Sequence, residues 1–178
     1  MATITMSTNS DSTSNNAGTG NKKLRGAIAV LQNDIDMADA VLQNGGTALA
    51  ANDIIQAIAL PTNTMVLHAG IKVITAMEGT TTDSSLLLGM TGGDVNQFTD
   101  AYDYDGASVG DHSGPQLSSA VATLVPFFTA AADTIDVEID ASSGTITGGI
   151  IRVYAVCIIM DDVTQSGSAA EVDRDLLA

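Results

Sequence analysis

The feature that most constrains this chain is a strict two-residue alternation in Thr134-Ile135-Asp136-Val137-Glu138-Ile139-Asp140. Successive side chains of a β-strand point to opposite faces, so Ile135, Val137 and Ile139 fall on a dry side and Asp136, Glu138 and Asp140 on a wet one. No helix can present that pattern. The same period recurs from about Met65 to Val163. In Met65 to Met77 it puts Leu67, Ala69, Ile71 and Val73 on one face and His68, Gly70 and Lys72 on the other. Shorter strands are expected at Ala27 to Leu31, Ile54 to Leu60, Leu86 to Met90 and Gly149 to Met160. Pro61-Thr62-Asn63, Gly79-Thr80-Thr81, Gly92-Gly93-Asp94 and Ser142-Ser143-Gly144 supply turns between them.

Helical spacing is confined to Ile35, Ala38, Val41 and Leu42 and to Leu117, Val121 and Leu124, each enough for a few turns only. The fold class is therefore all-β. Seven or eight short strands predict a two-sheet β-sandwich, jelly-roll or immunoglobulin-like, with an extended N-terminal arm. Three regions are expected: a polar arm over residues 1–25, a sandwich body over 26–163 and a polar tail over 164–178. Residues 1 to 21 are almost all Thr, Ser, Asn, Gly, Ala and Met, too polar to offset the entropy of ordering, and are expected to be disordered alone. Lys22, Lys23 and Arg25 follow at once and are half of the six basic residues in the 178-residue chain.

Charge narrows the function. The chain carries 21 acidic residues and a net charge of −15, and from Gly26 onward 20 acids face 3 bases. Such a body repels phosphate backbones and anionic bilayers, so neither nucleic acid nor membrane is expected as a partner. The most apolar stretch, Gly149 to Met160, is interrupted by Arg152 and falls short of the ~20 residues a membrane span requires. The amino terminus shows no secretory signal pattern. A lone cysteine, Cys157, sits in the apolar run Val156-Cys157-Ile158-Ile159, the usual setting of an inert thiol.

No catalytic constellation emerges. The letters Gly106-Ala107-Ser108-Val109-Gly110 match a nucleophile elbow, but an acidic loop precedes them and Asp111-His112-Ser113-Gly114-Pro115 follows, where that motif needs a strand and then a helix. His68 and His112 are the only bases of the imidazole type. One Cys and two distant His make no zinc set, and no phosphate-binding glycine motif occurs. Asp100 to Gly106 is the densest acidic run. Placing Asp103, Asp105 and Gly106 at the third, fifth and sixth positions of a calcium loop leaves Ala101 and His112 where carboxylates are required. Asp103 and Asp105 are thus weak metal candidates, and no cofactor is expected.

The most informative segment is the last strand. One face carries Ile151, Val153, Ala155, Cys157 and Ile159; the other carries Ile150, Arg152, Tyr154, Val156, Ile158 and Met160. Only one face of a sheet meets the core of a two-layer sandwich, so the second apolar face needs cover. Ile54-Ile55 and Leu86-Leu87-Leu88 are two-faced runs of the same kind. Arg152, Tyr154 and Ile158, with Lys22, Lys23 and Arg25, are the candidate interface residues.

These segments together resemble a known group. Ala57 to Pro61 leads into Met65 to Val73, then the loop Gly92 to Phe98, then Ala132 to Ile139 and finally Gly149 to Val156. Over roughly residues 54 to 160 the chain resembles the small β-sandwich virion proteins of tailed bacteriophages, the capsid decoration or cement proteins. The resemblance implies a non-enzymatic protein on the outer capsid surface, assembled in the host cytoplasm as a homo-oligomer, most often a trimer, against the major capsid protein. A tail, neck or receptor-binding module would share the same architecture. A carbohydrate-binding module is disfavoured by the absence of Trp and the scarcity of Tyr.

Overall fold

The computed structural model describes residues 2–5, 28–80, 84–91, 93–113, 126–140 and 144–160. Among the described residues nine strands and one short helix follow in order: β1 Thr3–Thr5, β2 Ile28–Asp36, α1 Met37–Gln43, β3 Ile54–Leu60, β4 Thr64–Thr80, β5 Ser85–Met90, β6 Thr99–Asp103, β7 Phe127–Thr129, β8 Asp133–Ile139 and β9 Thr145–Ile159. They form a five-stranded sheet, β1-β3-β8-β5-β6, and a four-stranded sheet, β2-β9-β4-β7. All pairs are antiparallel except β1 with β3.

The pairing follows one rule. β5 pairs β6, β4 pairs β7, β3 pairs β8 and β2 pairs β9. This is one long antiparallel ribbon folded at β5 and β6 and rolled so that successive arms fall alternately in the two sheets. Of the two topologies that periodicity left open, the order is that of a jelly roll.

The core lies between the layers and comes from the alternation. Ile55, Leu60, Leu86, Leu88, Ile135, Val137 and Ile139 of one sheet and Leu31, Ile35, Ile71, Val73, Ile151, Val153 and Cys157 of the other are all buried. Burial pushes the Cys157 thiol up to about 11, which keeps it neutral and unreactive.

Four local differences from the sequence expectations have physical reasons. In β4 the register shifts between Val66 and His68, so Val66 rather than Leu67 joins the buried set Ala69, Ile71 and Val73. A bulge inserts one residue and flips the alternation behind it. The helix begins only at Met37, because Ile35 still belongs to β2, which runs to Asp36, and the Asp36 side chain accepts from the Ala38 N–H as an N-cap. Its buried residues are Met37 and Ala40, with Leu42 71% exposed. Asp136 does not lie on a wet face but is 6% exposed.

The fourth difference corrects the start of the arm. Thr3–Thr5 pairs in parallel with Ile54 to Gln56, and Ile4 is buried. The Asp53 carboxylate fixes this edge, accepting from Ala2 N at 2.7 Å and from Ala50 N at 3.0 Å. One apolar side chain between two threonines suffices for a three-residue edge strand, although the mean polarity of the segment hides it. Lys22, Lys23, Arg25, the Leu117 to Leu124 spacing and the 164–178 tail lie outside the described residues.

Candidate interaction surface

The outer face of the four-stranded sheet can be followed row by row through its register. Ile28, Ile158, Met65 and Phe128 are mutual cross-strand partners and form one row over all four strands. Val30, Val156 and His68 form the next, then Gln32, Tyr154 and Gly70, then Asp34, Arg152 and Lys72. The face therefore grades from apolar to charged along the strand direction. Ile28 is 65% exposed, Val30 59% and Phe128 46%. Covering each would gain about 1 kcal/mol or more by removing apolar area from water.

The charged end is built as deliberately as the apolar one. Arg152 Nε and Nη2 donate to Asp34 Oδ1 and Oδ2 at 2.6 and 2.7 Å, a two-bond fork across β2 and β9. The guanidinium holds the Asp34 carboxyl below its ordinary value. A lowered carboxylate contributes stability above its usual range and loses it as pH falls through the lowered value, so this contact persists under mild acid. Both partners are exposed, and salt screens them. Lys72 and Arg152 are the only Lys or Arg among the described residues, and both stand in this row.

Tyr154 occupies the middle. Its ring meets His68 edge-on, with centroids 5.7 Å apart and planes at 61°, and its hydroxyl lies 3.4 Å from His68 Nε2. Burial lowers the His68 pKa, so the imidazole is neutral at pH 7. Gly70 makes the arrangement possible, since a Cβ there would stand 2.5 Å from the Tyr154 hydroxyl. Gly70→Ala should therefore swing Tyr154 off the sheet without unfolding the chain, because the obstructing atom is the free end of a side chain. The check is tyrosine fluorescence and the His68 proton resonances, which should both shift while the melting temperature moves by no more than a few degrees.

Arg152, Tyr154 and Ile158, chosen from the alternation of one strand, thus share one face. Ile28, Val30 and Phe128 were not singled out. For Ile28 and Val30 the signal was present: both alternate with the buried Leu31, Asn33 and Ile35 side of β2. Phe128 belongs to a three-residue strand, too short for a period to show.

The acidic loop is used differently. Asp103 Oδ1 accepts from Gly106 N at 2.9 Å, and Asp111 Oδ2 from Ser108 N at 2.8 Å, so these carboxylates close turns. Asp105 N donates to Ser84 O. Among the described residues no three His, Cys, Asp or Glu side chains come together as a metal-holding group. Ser108 lies in a turn whose continuation, Gly110 to Ser113, hydrogen-bonds Val73 and Ile71 of β4. The strand-to-helix geometry of a nucleophile elbow is missing there. An open cleft of about 480 Å³ beside this loop is lined by Tyr102, Asp103, Asp111 and His112.

No family model matches the sequence, and no curated protein is significantly similar to it. Solved structures do share the fold. A chain in the capsid of Ralstonia phage GP4 is 21% identical and superposes with a TM-score of 0.59, covering 90% of this chain and 100% of that one. A chain of the cyanophage Pam1 capsid asymmetric unit is 16% identical with a TM-score of 0.53, covering 80% and 91%. The likeness is one of architecture, extending over nearly the whole of each chain.

Proposed function

We propose that the chain is a structural protein of a bacteriophage virion that decorates or cements the outer surface of the capsid. The observation that carries this reading is the fold shared with the two phage capsid chains, over 90% and 80% of this sequence. The outer face of the four-stranded sheet supports it. Apolar rows ending in an Arg–Asp fork suit packing between subunits, with the apolar end supplying affinity and the charged end orientation. Copies associate through this face, with Arg152, Tyr154 and Ile158 in the contact, and a trimer is the form expected. The arm bearing Lys22, Lys23 and Arg25 reaches an adjoining subunit, and the major capsid protein is the partner beneath. The protein works by holding position and catalyses nothing.

Two measurements test the reading together. Light scattering on the purified chain should give three times the 18.1 kDa chain mass. Mixed with empty shells of the major capsid protein, it should appear as added density on their outside by electron cryo-microscopy. A monomer that leaves such shells bare would sink the proposal.

A further inference from the structure

The apolar part of the outer face of the four-stranded sheet holds one imidazole. His68 completes the row Val30, Val156 and His68, between the row Ile28, Ile158, Met65 and Phe128 and the row Gln32, Tyr154 and Gly70. The bulge that turns Leu67 aside puts the imidazole on this outer side, since Ala69 next to it is buried in the core. It is half-buried in the single chain. A valine there would extend the apolar row; the imidazole puts a proton site into it.

What faces His68 decides what a proton there costs. On its own strand the next charge is Lys72, two rows along. On β9 the neighbour is Tyr154, whose ring meets the imidazole edge-on, with Arg152 one row beyond it. β2 offers Val30 and Gln32, and its Asp34 stands two rows away with both carboxylate oxygens held by Arg152. β7, Phe127-Phe128-Thr129, carries no ionisable side chain. His112, the other imidazole, lies beside Lys72 at the charged end. Among the described residues no carboxylate stands in the row of His68 or in either row next to it.

The hydrogen bond nearby suits the neutral ring. The Tyr154 hydroxyl lies 3.4 Å from Nε2, and burial raises the phenol's pKa, so it keeps its proton and donates to the unprotonated nitrogen. In the single chain an imidazolium is still hydrated on its open side. Under a second copy that water is gone, and a charge among Val30, Val156 and Met65 has lost hydration without gaining a counter-charge. Burial within one chain already lowers the His68 pKa, and covering the face lowers it further. The associated form therefore binds fewer protons. Affinity falls as pH drops through the value of His68 in the single chain and is level above it.

We propose that His68 makes the self-association of this face acid-labile: the neutral imidazole allows the contact between copies, and the imidazolium opens it. The switch rests on the reading above for the contact itself and adds the condition under which that contact comes apart.

The experiment follows full-length protein by light scattering from about pH 8 to about pH 5 at constant ionic strength. The association constant should fall about tenfold per buried His68 for each pH unit below the single-chain value, reversibly and with the far-ultraviolet spectrum unchanged. H68Q, neutral throughout, should associate as wild type does at the upper end and keep its mass at the lower. H112Q should still dissociate, because His112 lies outside the apolar rows. The His68 ring-proton resonance should titrate at lower pH in concentrated, associated protein than in dilute monomer, a comparison within the wild type that decides even if H68Q folds poorly. Equal titration in the two states, or a constant mass while His68 titrates, overturns the proposal and leaves self-association standing. So does an acid release that H68Q retains, which would pass the proton to the buried carboxyls Asp136 and Glu138 of the other sheet. A chain monomeric at the upper end at every concentration removes both readings.

Discussion

Changing Ile28 and Val30 together to aspartate should leave the chain folded and abolish its self-association. Both side chains lie mostly in solvent, 65% and 59% exposed, at an edge strand whose opposite face holds the core contacts Leu31 and Ile35. Their replacement removes nothing from the interior, and the cost in strand preference is at most ~1 kcal/mol each. In an assembly the two new carboxylates would sit beside Val156 and Ile158 in a desolvated contact, where unpaired charge is heavily penalised. Light scattering should fall from the oligomer mass to 18.1 kDa, with the far-ultraviolet spectrum unchanged. An undiminished mass would show that copies meet elsewhere.

Gly149→Ala should have the opposite profile, a large loss of stability with little direct effect on either outer face. Gly149 has φ +109°, a conformation that side chains rarely adopt. It sits where the β4–β9 register jumps between Thr75–Ile150 and Glu78–Gly148. The hydroxyl of the fully buried Tyr104 fills the space beside it and donates to Thr75 O at 3.4 Å. An alanine Cβ would stand 2.3 Å from that hydroxyl and 2.9 Å from Ala76 O, which is backbone and cannot rotate away. Strain of ~1–3 kcal/mol from the dihedral and as much again from the overlap are expected. At ~2–4 °C per kcal/mol for a chain of this size, the melting temperature should drop by about 10 °C. A drop under two degrees would mean that β9 relaxes around the new methyl group.

Alternation carried most of the fold because half-buried strands must alternate. The inner sides of β8 and β9 could be placed residue by residue for that reason, while β3 was legible only as a strand, its alternation broken by a bulge between Gln56 and Ile58. Where the backbone slips, the pattern misleads: Leu67 belongs to the apolar series by spacing, but the bulge behind Val66 turns it away. Asp136 shows a second limit. Nothing in its own strand marks it as buried, since the cover comes from Thr91 and Val95, some 40 residues earlier. The candidate face was half legible. Its β9 portion followed from one strand and the exposed side of β2 is written in that strand's own alternation, whereas Phe128 and the joining of the four strands into one face needed the strand order, which no local pattern encodes.

The nested pairing also dictates when this molecule can fold. Of the four nested pairs β5 with β6 is the most local, and each further one joins segments more remote than the last, until Asp34 meets Arg152 across 118 residues. β8, the central strand of the five-stranded sheet, and β9, one of the two inner strands of the other, are also among the last described strands to leave a ribosome. Until they emerge, β2, β3 and β4 have no partner for most of their length, and β5 lacks its second neighbour. Folding must therefore follow synthesis, at the slow millisecond-to-second pace of topologies dominated by distant contacts. A chain cut short before β9 would keep its edges open, and copies that enter an assembly will be those that have reached that strand.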